Sequence, residues 1–283
     1  MAIDGIVVLL VLLAALMHAT WNAFVRSGKD TLLSLFAVKA PTIVIAGAAL
    51  VVTGWPALES LPYLLTSAAI NCAYFYFLAR AYEAGDLSVC YPIARGTAPV
   101  VVAIMSATVI GETPPITAYV GVAVVSLGIL VLAWRRSKSL PKPAGMAWAL
   151  AVGLTIASYT LTDGLGARLS NNPIGYTAAL SAVTGILLCA TVLYLRGQKA
   201  ALESLASRWK IGLMGGLLMF SAYGLVMYAL TRAPVASVSA LRETGVIFAA
   251  IIGTIVFKEP LGVRRVVASA IVAAGVAILV AAR

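Results

Sequence analysis

The chain has 283 residues, 62% of them hydrophobic and 11% charged, and a mean hydropathy of +1.02, a balance that no soluble globular surface tolerates. Its net charge of +10 comes from lysines and arginines in short segments beside apolar runs rather than along one continuous face, which argues for membrane orientation and against a nucleic-acid partner. Cys72, Cys90 and Cys189 all fall inside apolar runs, where a lone thiol acts as a small apolar group. No disulfide framework is implied, and one histidine with scattered cysteines builds no zinc site; no metal or cofactor is expected.

Apolar runs long enough for the roughly 20 residues of a membrane-crossing helix recur ten times, at 5–26, 31–53, 62–84, 87–110, 114–134, 145–168, 173–195, 210–231, 234–256 and 260–282. The reading is an all-α membrane protein with no room for a soluble domain. The first run has only Asp4 ahead of it rather than the positive charge of a secretory signal, so it is expected to be a retained span. His18, Trp21, Asn22 and Val25 share one of its helical faces. The third run carries "YFYF", with Tyr74 and Tyr76 near its centre, where a phenol needs a polar partner.

The fourth run contains "YPIARGTAP", placing Arg95 between Pro92 and Pro99 just after Tyr91; the ninth contains Ser239, Arg242 and Glu243. An arginine at that depth costs roughly 2.5–3.5 kcal/mol and must face protein or water. One reading pairs the arginines with Glu243, or with carbonyls freed where prolines interrupt the helix. The other brings both guanidiniums to a central cavity, where they attract a substrate carboxylate. Glu243 reads as the sole acidic residue near mid-depth, so the site would keep about one excess positive charge; Glu243 and His18 are the candidates for proton coupling. Ser158, Tyr159, Tyr91, Tyr223, Tyr74 and Tyr76 complete the expected cavity wall for an amphipathic organic solute. Gly121, Gly128, Gly212, Gly215 and Gly216 are read as close-packing positions, and the prolines at 56, 62, 114, 115, 141 and 143 as helix stops.

Shifting the second half by 147 residues lays "RETGVIFAAIIGTIVFKE" on "RGTAPVVVAIMSATVIGE", matching Arg242 to Arg95, Glu259 to Glu112, Gly275 to Gly128 and Tyr223 to Tyr76. With a smaller offset, "IASYTL" meets "HATWNA". Five helices per repeat force the second copy to enter from the opposite side, and loop charge agrees: "GETPPIT" has no basic residue where "FKEPLGVRR" has three. Residues 1–140 and 141–283 are therefore expected to form two inverted halves around a central cavity. The loops after spans 1, 3, 5, 7 and 9 hold Arg26, Lys29, Arg135, Arg136, Lys138, Lys142, Arg196, Lys199, Arg208, Lys210, Lys258, Arg264 and Arg265, against Arg168, Arg232 and Arg283 opposite. The positive-inside rule then puts both termini on the non-cytoplasmic side.

With its two five-helix halves, the "GETPP" and "KEPLG" junctions before each last helix, and the endings "GILVLA" and "GVAILVA", the chain resembles the ten-helix EamA-type exporters of the drug/metabolite transporter superfamily. Within it, the layout most resembles the YddG-like amino-acid and metabolite exporters. The resemblance implies a basket of helices 1, 3, 4, 6, 8 and 9 around a cavity, with helices 5 and 10 at the end, in the inner membrane. It also implies export of amino acids or related small metabolites; the inverted repeat favours a carrier working by alternating access, and the chain is expected to act as a monomer and not as an enzyme. Smaller relatives use a first-helix glutamate for proton exchange; here that helix has His18, Trp21 and Asn22, and its repeat has Ser158, Tyr159 and Thr162. Export of amphipathic drugs is the alternative. An intramembrane enzyme ranks low, because no HExxH or G-x-S-x-G pattern is present.

Overall fold

The computed structural model describes residues 3–84, 87–133, 143–259 and 262–282. It is all-helical in the described residues: α1 (Gly5–Arg26), α2 (Thr31–Thr53), α3 (Leu61–Ala84), α4 (Leu87–Met105) continued by a π-helical turn (Ser106–Ile110), α5 (Ile116–Ala133), α6 (Pro143–Leu169), α7 (Pro173–Arg196), α8 (Gln198–Ser207), α9 (Trp209–Leu230), α10 (Val235–Arg242), α11 (Gly245–Ile255) and α12 (Val263–Ala281). Among the described residues nine helical segments are long and apolar enough to cross a membrane, and Ile116–Leu132 is a shorter apolar helix. The chain is a multi-pass membrane protein. Arg135, Arg136, Lys138, Pro141, Lys142 and Arg283 lie outside the described residues.

Local chemistry sets the helix ends. Asp4, Asp30 and Asn172 each accept a backbone N–H of the helix they precede, satisfying one of the first-turn donors that have no partner within the helix. Asn172 also donates to the carbonyls of Thr53 (2.8 Å) and Gly54 (3.1 Å), tying the start of α7 to the end of α2. Two departures from the sequence reading stand out. Between α7 and α9, the connection "RGQKAALESLASRWK" contains a ten-residue helix, α8, whose Ala201 is buried with Phe36, Cys189 and Val192. The ninth span is broken into α10 and α11, whereas α4 runs unbroken through Pro92 and Pro99. The interruption expected at the prolines falls instead at Glu243 and Thr244, whose N–H groups bond three residues back to Ala240 and Leu241. Irregular backbone at that depth is tolerated because protein buries it, and Ala240, Leu241, Glu243, Thr244 and Gly245 are all buried.

The most extensive helix packings are α3 with α6, α5 with α12, α2 with α7, α4 with α6, α1 with α9, α4 with α5 and α2 with α9, and α1 also packs on α11. Lipid tails supply no hydrophobic drive between helices, so close approach depends on small residues. On the α5–α12 seam, a Cβ on Gly128 would stand 2.9 Å from the Val272 nitrogen and 3.1 Å from the Ala268 oxygen, and one on Gly275 would stand 2.7 Å from the Val125 nitrogen. The obstacles are backbone and cannot swing aside. Gly128→Leu is expected to cost about 1–3 kcal/mol or more, read as a lower melting temperature and loss of monodisperse protein on size exclusion; an unshifted melt would contradict the seam as described.

Each end of the bundle is fastened by one of the two matched glutamates. At one end Glu112 accepts from Arg168 (2.6 Å) and from the Val235 N–H (2.9 Å), while Arg168 also donates to the carbonyls of Leu230 and Ala233. At the other, Glu259 pairs with Arg26 of α1 and with Arg265 of α12 (2.7 Å). There Asp30 also holds Arg196 at 2.8 Å.

Hydrogen bonds from Arg265 and then Arg26 hold the Glu259 carboxyl below the ordinary glutamate range, and Arg196 and the Leu33 N–H lower Asp30. Depressed folded-state values mean that these contacts contribute fully above the ordinary carboxylate range and lose that contribution as pH falls from there through the lowered folded-state values. The parent protein should therefore melt progressively lower on acidification. Glu259→Gln should start lower and lose less over the same range; parallel curves for the two would contradict this.

Candidate functional site

Arg95 lies on α4, two turns in from its start, and Arg242 ends α10 at the break. The break sets Glu243 facing α4, where its Oε2 stands 3.2 Å from Arg95 Nε. Arg95 is 9% exposed and Glu243 2%. The two atoms are not aligned as a hydrogen bond, and each is buried without a hydrogen-bond partner among the described residues, as is Arg242 Nη1. Arg242 is half-buried and makes no ion pair within 4 Å among the described residues, although it lies within electrostatic reach of Glu243, His18, Tyr223 and Asp163.

Several of the expected residues gather around this pair. His18 reaches the field of both arginines from α1, with its ring edge-on to Trp21 at 5.1 Å. Tyr74, Tyr91 and Tyr159 are electrostatic neighbours of Arg95, and Tyr74 meets Tyr159 edge to face at 6.3 Å. Ser239 is buried three residues before Arg242. Others lie apart. Asn22 is exposed and donates to the His18 carbonyl at 2.7 Å. Tyr76 is 58% exposed against Trp148. Ser158 lines a separate cavity of about 270 Å³ with Tyr63, Thr66, Met105 and Thr162. A second cavity of about 500 Å³ lies between the α1–α2 connection and α8, beside Lys29, Asp30 and Arg208. Neither cavity has Arg95 or Arg242 in its wall.

The structure corrects the count of acidic groups. Asp163 on α6 is fully buried, so Glu243 is not the sole carboxylate at depth. Its Oδ1 accepts the Tyr176 hydroxyl at 3.1 Å, its Oδ2 accepts the Tyr223 hydroxyl, and the Ser67 hydroxyl sits beside it. Two carboxylates now face two guanidiniums, and the expected excess positive charge disappears if all four ionise. Only one of the two possible pairs is made: Arg95 with Glu243. The Asp163 carboxylate relies on neutral hydroxyls, and Arg242 is left to interact at longer range.

This arrangement leaves a guanidinium with an unused buried N–H donor beside aromatic rings, at the depth where a charge-assisted hydrogen bond to an anion is strongest. Residues 143–281 match the EamA-like transporter family. The second half of the chain is EamA-like. Within that half fall Ser158, Tyr159, Asp163, Tyr223, Ser239, Arg242 and Glu243, while His18, Tyr74, Tyr91 and Arg95 come from the residues before it. A solved crystal structure of a chain 18% identical in sequence superposes with a TM-score of 0.73, covering 96% of this chain and 97% of its own; at that identity the likeness is one of fold. No curated protein sequence matches this chain.

Proposed function

We propose that the whole chain is an EamA-type member of the drug/metabolite transporter superfamily, a secondary carrier that moves amino acids or related small metabolites by alternating access. The observation carrying this reading is the half-buried Arg242, which offers a partnerless buried N–H beside the Arg95–Glu243 pair. A solute carboxylate would complete that arrangement, and Tyr74, Tyr91, Tyr159 and Trp21 supply apolar surface for the rest of an amphipathic molecule. Export follows the family resemblance, and placement in the inner membrane and function as a monomer are part of the same proposal.

The halves 1–140 and 141–283 are proposed as inverted repeats. The packing supports this, since exchanging the halves maps α1 on α9 to α6 on α3, maps α1 on α11 to α6 on α4, and returns α2 on α7 and α5 on α12 to themselves. Such duplicated packing gives a carrier two interchangeable states around a midplane site. Arg26, Lys29, Arg196, Lys199, Arg208, Lys210, Lys258, Arg264 and Arg265 share one end in this topology, which the positive-inside rule assigns to the cytoplasm.

Counterflow in proteoliposomes tests the reading. Labelled amino acids outside should enter faster when unlabelled solute is loaded inside, because a carrier returns faster when loaded. Flux indifferent to internal solute would indicate a channel, and counterflow with hydrophobic cations alone would favour the amphipathic-drug alternative.

A further inference from the structure

We propose that Asp163 is a proton-binding site whose occupancy changes during the transport cycle. The proposal rests on the carrier reading above, but not on the identity of the solute. A carboxyl deep in a membrane bundle must be paired, solvated or protonated. Glu243 meets that demand through Arg95 at 3.2 Å. Asp163 does not: it is fully buried, and its two oxygens are held by Tyr176 and Tyr223 from two other helices.

The groups facing it are few. From α3 comes the Ser67 hydroxyl, from α7 Tyr176, and from α9 Tyr223. From α10 comes the Arg242 charge, with Glu243 beyond it in the turn. α4 contributes Arg95 and Tyr91, which lie with Glu243. On α6 itself Tyr159 sits one turn away, and Arg168 is bound to Glu112. Glu59, in the short turn that leads into α3, is exposed.

A cage of hydroxyls suits both charge states. Tyrosine and serine O–H groups donate to the carboxylate; once one of its oxygens carries the proton, a hydroxyl can rotate and accept instead. The step is a transfer from hydronium to carboxylate, giving a carboxylic acid and water, and its reverse on the other side. No oxidation state changes, and water is the only co-reactant. Tyr223 is the member of the cage that lies within reach of Tyr159 and Arg242, which links the cage to the central cluster. Because α6, α7 and α9 meet at this one carboxyl, a change in its charge alters the contact among three helices at once.

The test has one readout that needs no solute and one that does. Infrared pH-difference spectra of the full chain in nanodiscs should show a protonatable carboxyl band in the parent and in Glu243→Gln, shifted in Asp163→Glu and lost in Asp163→Asn. In proteoliposomes an imposed pH gradient should change parent flux several-fold and leave Asp163→Asn flux unchanged while counterflow persists. A band that survives in Asp163→Asn overturns the proposal. So does parent flux that ignores the gradient while counterflow is present, a result that leaves the carrier reading standing. Loss of counterflow in a monodisperse Asp163→Asn variant would assign the residue a structural role instead. A titrating band at Asp163 with no counterflow for any solute would support the proton site and remove the carrier reading.

Discussion

Glu243→Ala should destabilise the protein by about 3–5 kcal/mol, the cost of leaving one member of a buried ion pair alone. Arg95 is 9% exposed and stands 3.2 Å from Glu243 as its ion-pair partner; without that carboxylate a guanidinium remains in a low-dielectric interior with nothing to balance it. Arg95→Ala should be similarly damaging through the stranded carboxylate. The double variant Arg95→Met with Glu243→Leu removes both charges and fills the space, so it should recover most of the lost melting temperature. Differential scanning of detergent-solubilised protein checks this. Equal losses in the single and double variants would mean that the pair is not what the single substitutions disturb.

Arg242→Ala should behave in the opposite sense. Arg242 makes no ion pair within 4 Å among the described residues and keeps an unused buried N–H, so its removal strands no directly paired carboxylate and should shift the melt less than Arg95→Ala does. Its effect on transport should be large. A hydrogen bond to a charged group contributes about 1.5–3 kcal/mol, which corresponds to roughly 10- to 100-fold in apparent affinity for a carboxylate-bearing solute. Concentration-dependent counterflow in the parent and variant measures it, with protein amount normalised by size exclusion. A variant with unaltered affinity would show that Arg242 serves the fold rather than the solute.

Much of this arrangement is legible in the sequence because the bilayer is a severe solvent. Apolar runs of about 20 residues announce their own ends, and α1 and α2 coincide with the runs at 5–26 and 31–53. Arg95 and Arg242 are conspicuous for the same reason, since a charge in an apolar run has few places to go. Asp163 was within view in "SYTLTDGLGARL", yet its neighbouring threonines, glycines and arginine look like the polar end of a span. What makes it a buried carboxyl is Tyr176 and Tyr223, brought from α7 and α9 by tertiary packing. Pairings of that kind leave no local pattern.

The break between α10 and α11 is likewise set by tertiary packing. Prolines are the strongest local signal for an interrupted helix, and they sit in α4, which stays continuous. "SALRETGVIF" carries no comparable signal, and its turn is permitted because surrounding protein buries it. By contrast α8 had a readable signature: Ala201 and Leu205, four residues apart on one face, pack against Phe36 and Cys189. Its strongly charged flanks give the same segment the composition of a loop.

The central claim is that Arg242 recognises a carboxylate, and the most direct measurement compares an amino acid with its carboxamide as competitors of counterflow. In the parent, the amide should compete roughly 10-fold or more weakly, because it lacks the charge that Arg242 would pair. In Arg242→Ala the two should compete about equally. A variant that keeps the parent's preference for the acid would contradict the account, whatever its absolute rate.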